Sequence, residues 1–138
     1  MNPEEMRRTI AAAFEKSDLR PLLDALHADV VWKSAATSEG LFRFGGAYQN
    51  KSGAVELLSQ VAMDYVFHRL KPKEIISAGD VVWGVFDMRA TYEPKGKAAE
   101  SRTLAFEMAI RWRLKDGKII EHQGFFDTAS LLIQQGTA

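Results

Sequence analysis

The sequence predicts an α+β fold: three helices packed on a mostly antiparallel sheet, with a short fourth helix closing the C-terminal end. Three observations predict it. Apolar residues recur at helical spacing in the first half of the chain, as in Val55, Leu58, Val61, Ala62 and Tyr65. Further on, the pattern alternates, and from Leu104 to Leu114 every even position is apolar. Two turn signals, Gly79-Asp80 and Lys115-Asp116-Gly117, divide the alternating runs.

The first helix opens at Asn2-Pro3-Glu4-Glu5, with Asn as cap, Pro at the first helical position and carboxylates near the positive helix end. It is expected to run to about Lys16. Ser17-Asp18 is expected to cap a second helix, with Leu19, Leu22, Leu23 and Leu26 as its buried stripe. Asp29–Lys33 reads as a short strand, and Ser34–Gln49 as a loop punctuated by Gly40, Gly45 and Gly46. Ser52 is expected to cap the third helix. A strand from about Phe67 to Ser77 contains Pro72, which cannot donate to a ladder and so places the strand at an edge or a bulge. Gly79-Asp80 leads into a long strand, Val81–Tyr92. At the far end, Asp127 precedes Thr128-Ala129-Ser130 as the cap of the last helix.

The terminal hairpin admits two registers. A two-residue Asp116-Gly117 turn pairs Lys115 with Lys118 and sets Arg111 against His122. A three-residue loop pairs Leu114 with Lys118, and then Arg111 faces Glu121, Ile110 faces His122 and Trp112 faces Ile120. The second sorts polar with polar and apolar with apolar, so it is the register expected. His122 then lies on the inner, apolar face, with Arg111 and Glu121 outside.

With 138 residues the chain is one domain's worth, 1–138, and large enough for a real core. Apolar residues are 46% and charged residues 26%, the balance of a globular protein. Eighteen basic residues cancel eighteen acidic ones, so nucleic acid and anionic membranes have no electrostatic support as partners. Cysteine is absent, which removes thiol nucleophiles, disulfides and thiolate metal sites and fits a reducing cytoplasm. MNPEEMRRTI lacks the apolar core of a signal peptide, and no apolar run approaches membrane-spanning length.

Four short pieces carry a resemblance. They are Ala28-Asp29-Val30-Val31-Trp32; Phe44-Gly45-Gly46 with Ser52-Gly53-Ala54-Val55; Ala78-Gly79-Asp80-Val81-Val82; and Asp116 to Asp127. In this order they resemble the nuclear-transport-factor-2-like superfamily, and within it the SnoaL-like branch of polyketide cyclases, ketosteroid isomerases and limonene-epoxide hydrolases. The resemblance implies a cone, a strongly curved sheet and its helices around one deep apolar cavity. It also implies a hydrophobic small molecule as partner, no cofactor, and a homodimer through the outer sheet face.

The catalytic positions of these relatives are largely replaced. By resemblance the isomerase base falls at Ser34, its oxyanion-hole aspartate at Ile110 and its tyrosine near Ile10. The hydrolase Arg-x-Asp reads Val85-Phe86-Asp87, and its second aspartate is Gly124, as is the cyclase acid/base. What remains as a catalytic expectation is His122 assisted by Asp87. A histidine in an apolar pocket sits neutral and serves as base or donor, and a carboxylate on one ring nitrogen sets its tautomer. The expected ligand-binding wall is Trp32, Ser34, Tyr48, Phe106, Met108, Ile110, Trp112 and Phe126, with Arg89 as a further polar neighbour.

Other signals are blander. Gly45–Ser52 nearly matches a phosphate loop, but Asn50 replaces its last glycine and no buried parallel strand precedes it. His27, His68 and His122 are too scattered for a metal motif. Trp32, Trp83 and Trp112 read as core. Two functions stay open: an enzyme performing cofactor-free proton transfer, such as isomerisation or cyclisation of a hydrophobic ring, and a non-catalytic pocket or dimerisation module.

Overall fold

The computed structural model describes residues 1–36, 42–94 and 97–136, apart from the Ala98 side chain. Gly40, expected in the loop after the first strand, lies outside the described residues. The elements run α1 (Pro3–Glu15), α2 (Arg20–Asp24), β1 (Leu26–Lys33), β2 (Ala47–Gln49), α3 (Asn50–Asp64), β3 (Tyr65–Ala78), β4 (Val81–Tyr92), a 3₁₀ turn (Ala98–Glu100), β5 (Arg102–Lys115), β6 (Lys118–Phe125) and α4 (Thr128–Gln134). The strands form one open sheet in the order β2-β1-β6-β5-β4-β3. It is antiparallel except where β1 runs parallel to β6.

Local chemistry explains most boundaries. Asn2 caps α1: its Oδ1 accepts from the Glu5 N–H at 2.8 Å, and the Glu5 carboxylate accepts from the Asn2 N–H at 3.3 Å. Asp127 caps α4 by accepting from the Ser130 N–H at 2.9 Å. Pro72 sits on the edge strand β3 and beside a bulge, as a residue without an N–H must. That bulge and the one at Phe67/Arg69 bend β3 and increase its twist, which curves the sheet.

Four helix expectations need correction. Leu19, not Ser17 or Asp18, is the N-cap residue of the short α2, and Asp18 instead accepts from the Arg20 N–H at 3.1 Å. Leu26 begins β1 rather than completing a helical stripe. Ser52 does not cap α3. Asn50, at φ 60°, accepts from both the Gly53 N–H and the Ser52 hydroxyl. The buried face of α3 carries Gly53, Ala54, Leu57 and Asp64, while Val55 is half exposed. Tyr65 belongs to β3, so a stripe counted back from it is rotated about one residue around the helix.

The hairpin also departs from expectation. Asp116 (φ 53°) and Gly117 (φ 74°) are both left-handed and form a two-residue turn that pairs Lys115 with Lys118 and Leu114 with Ile119. Continued unbroken, that register would set Trp112 opposite Glu121 and turn a carboxylate toward the core. A bulge at Ile120 inserts one residue, after which Arg113 pairs with Glu121, Trp112 with His122 and Arg111 with Gln123. The bulge lets Ile119 and His122 both be buried although their parities differ. The strand body is displaced by two residues from the expected register. An even shift preserves the face, so His122 points inward.

The core lies against the concave face. Phe86 and Trp112 are fully buried and meet edge-on at 5.8 Å, and Phe14 of α1 packs on both rings. Met6 and Ile10 continue the α1 face. Trp83 is not core: it lies on the convex face, 38% exposed.

Candidate functional site

The concave face of the sheet, α3 and the segment carrying Phe44 enclose a cavity of about 280 Å³. This is near the lower end of ordinary ligand pockets. The sheet contributes Trp32, Met88, Phe106, Met108, Ile110 and His122, because alternation turns those residues to one side. Helix α3 closes the opposite side with Leu57, Leu58 and Val61, while Phe126 and Leu131 stand at the C-terminal end.

Polar side chains on this wall are few. The Tyr65 hydroxyl donates to Gln135 Oε1 at 2.6 Å, and burial raises its pKa above the usual phenol range. Lys33 turns its ammonium to Glu121 at 3.2 Å. Ser34 Oγ accepts from the Ala36 N–H at 3.2 Å.

His122 is 4% exposed. Its ring stacks on Trp32 at 3.6 Å and 12°, the two residues being paired across the parallel β1–β6 ladder. Trp112, its partner on β5, meets it edge-on at 5.6 Å and 76°. Nδ1 of His122 and Nε1 of Trp112 are both enclosed without a hydrogen-bond partner. Burial alone lowers the His122 pKa to about 3, so the ring is neutral near pH 7.

Trp32, Ser34, Phe106, Met108, Ile110, Phe126 and His122 line the same cavity. Trp112 does not reach it and forms the layer behind His122. Tyr48 borders a separate polar depression with Arg43, Glu56 and Gln60. Asp87 stands on the convex face, bound to Arg69 at 2.7 Å and near Arg89 at 3.6 Å. Strand parity is the reason. Val82, Phe86, Met88 and Ala90 face inward on β4, so Asp87 and Arg89 face outward, and no His122–Asp87 dyad forms. Phe44, Leu57, Leu58, Val61 and Met88 join the wall without having been expected. Met88 was readable from the same alternation.

Gly124 also faces inward, opposite Ile110. A side chain there would run into the Met108 methyl group, which occupies that space. The position where the resemblance puts a carboxylate is thus filled by a neighbour's thioether.

The family described as the SnoaL-like domain matches residues 6–122. The chain belongs to this family. Solved structures show its fold. A nuclear-transport-factor-2-like protein of unknown function from Burkholderia pseudomallei matches at a TM-score of 0.79 and 23% identity, covering 97% of each chain. TerC co-crystallized with polyporic acid matches at 0.75 and 23% identity, over 97% of this chain and 98% of that one. A candidate polyketide cyclase from Pseudomonas putida matches at 0.71 and 17% identity, over 97% and 98%. Among the curated proteins none matches significantly. The SnoaL-like domain has, among its described residues, no helix long and apolar enough to cross a membrane.

Proposed function

We propose that this SnoaL-like domain binds an apolar, ring-sized small molecule in its cavity, with His122 as the polar contact. The observation that carries the reading is the cavity itself: about 280 Å³, walled by apolar side chains, with one neutral imidazole held in place by an aromatic stack. Ligand sites combine such walls with a few fixed polar groups. The neighbour co-crystallized with polyporic acid supports the same reading. Titration with ethylnaphthalene, followed by tryptophan fluorescence, should show one molecule bound per chain. Ile110→Trp, which fills the cavity, should abolish it; binding that survives this change sinks the proposal.

The second reading is cofactor-free proton transfer, isomerisation or cyclisation, through His122. It is favoured by the cyclase designation of a neighbour and by an imidazole on the cavity wall. It is the weaker reading because burial makes this histidine a poor base and Asp87 does not assist it. Deuterium exchange into the methyl group of acetonaphthone tests it. Acceleration lost in His122→Gln supports turnover, and no acceleration by the native protein removes it.

A homodimer through the convex face completes the proposal, in a cytoplasmic location suited to a cysteine-free chain. Ile76, Trp83 and Arg111 form one cross-strand row there. Ile76, Trp83 and the adjacent Phe125 are 51%, 38% and 41% exposed. The Arg111 guanidinium lies over the Trp83 and Phe125 rings at 5.7 and 5.9 Å. Aromatic and arginine side chains of this kind are enriched in interface cores.

A further inference from the structure

We infer that the cavity opens to solvent at the junction of α3 and β3, and that Phe67 stands in this mouth as the residue that selects ligands by shape. The inference rests on the ligand-pocket reading and deepens it by naming the route in and the form of molecule that can take it. Among the apolar wall residues Ala62 and Phe67 are exposed, and the rest are buried or half-buried. A side chain that belongs both to the wall and to the surface marks where the two meet. Ala62 lies in the last turn of α3 and Phe67 near the start of β3, so both point to one place. Every other phenylalanine of the chain meets an aromatic ring, and among the described residues Phe67 meets none. Its cross-strand partner is Ala90, whose methyl group offers little to pack on, and the bulge between Phe67 and Arg69 interrupts the ladder beside it. β3 is the outer strand of the sheet, so no further strand covers it. At 39% exposure the ring keeps a freedom to change rotamer that a core ring lacks.

The register gives the shape behind the mouth. Measured along β4, Trp32 and His122 lie in the row of Val82, and Ile110 in that of Gly84. Phe106 and Leu70 lie in the row of Met88, and Phe67 in that of Ala90. The wall therefore crosses the sheet on a diagonal, with His122 three strands away from Phe67. A molecule entering beside Phe67 meets His122 at the inner end. Such a passage suits a flat or chain-like apolar molecule that enters end-on, and it disfavours a globular cage of equal carbon number.

The mouth can be tested without a ligand, because the chain has no cysteine. Ile110→Cys places one thiol on the inner, buried wall, and N-ethylmaleimide should label it slowly in the native fold. Adding Phe67→Ala should speed that labelling severalfold, and adding Phe67→Trp should slow it. A merely destabilised protein labels faster with either change, so the slowing is the diagnostic result. Labelling that ignores residue 67, or that Phe67→Trp speeds, overturns the mouth. Ligand kinetics, read by stopped-flow tryptophan fluorescence, give the second arm. Phe67→Ala should speed both association and dissociation of ethylnaphthalene severalfold and move its Kd less than either rate. A change in dissociation alone, or in neither rate, overturns the role of Phe67 in entry. Ethyladamantane, a cage of the same carbon number, should enter the native protein at least about tenfold more slowly, the lower range of steric discrimination. Phe67→Ala should close most of that gap. Equal association rates of the two probes in the native protein overturn the shape selection while leaving the pocket intact. If ethylnaphthalene does not bind, the pocket reading fails, and the labelling rates still decide the mouth.

Discussion

The two faces of the sheet carry polar groups of different kinds, ion pairs outside and a few neutral side chains inside. On the convex face strands β3 to β6 pair charges across the sheet: Arg69 meets Asp87 at 2.7 Å, Lys73 meets Glu107 at 3.0 Å and Arg111 meets Glu121 at 2.7 Å, although Arg111 Nε is enclosed there without a partner. On the concave face polar side chains are few, and Tyr65 makes a hydrogen bond to Gln135 there at 2.6 Å. His122 is sealed between two tryptophans with Nδ1 unsatisfied, and Gly124 has given its space to a methionine. Ion pairs as exposed as those of the convex face each add little stability. An enclosed nitrogen left without a partner costs stability on whichever face it lies.

Breaking the concave face should produce the largest effects. Phe86→Ala removes the ring that joins α1 to Trp112 and should lower stability by about 3–5 kcal/mol in urea unfolding. A loss near the range of an exposed substitution would mean that this wall is not the core. Acid comes next. The His122 pKa falls from 6.5 to about 3 on folding, so between those values the unfolded chain binds a proton that the folded chain refuses. Stability from this residue is complete above pH 6.5. It is lost at up to about 1.4 kcal/mol per pH unit on the way down. His122→Leu should remove that slope, read as the difference between native and variant unfolding curves across pH; parallel curves would refute the burial.

The convex face sharpens the comparison through smaller changes. Trp83→Ala should weaken the proposed dimer by about tenfold or more in analytical ultracentrifugation, in the manner of an aromatic anchor. Ligand binding in the cavity should be unchanged. Asp87→Asn should do least, lowering stability by about 0–1 kcal/mol because its arginine partners are half exposed. It should leave both binding and any proton exchange untouched. A large loss of either would put Asp87 back beside His122.

What could be read from the sequence follows from what patterning constrains. The Gly79-Asp80 turn set the start of β4 at Val81, and alternation specifies parity, which was enough to turn His122 inward. Alternation does not specify register. Two registers of equal parity satisfy the same apolar sorting, and the choice between them was made by Asp116 and Gly117 adopting left-handed backbone and by the bulge at Ile120. Asp87 was misplaced for a different reason: the motif resemblance outweighed the alternation of its own strand. The cavity was the least legible feature. It is a gap between α3 and the sheet, and the α3 face shifted by one residue once Tyr65 proved to be strand.

The contact between Met108 and Gly124 ties the size of the chamber to the identity of one backbone position. Any side chain introduced at 124 must push the Met108 methyl aside, and because that methyl is the free end of a pliant chain, the fold will tolerate the push. The displaced sulfur and carbon have the chamber to move into, since Met108 is part of its wall. An acid introduced at 124 would therefore arrive in a smaller room. Substitutions at 108 and 124 should behave as one heritable unit, each making sense only in the presence of the other.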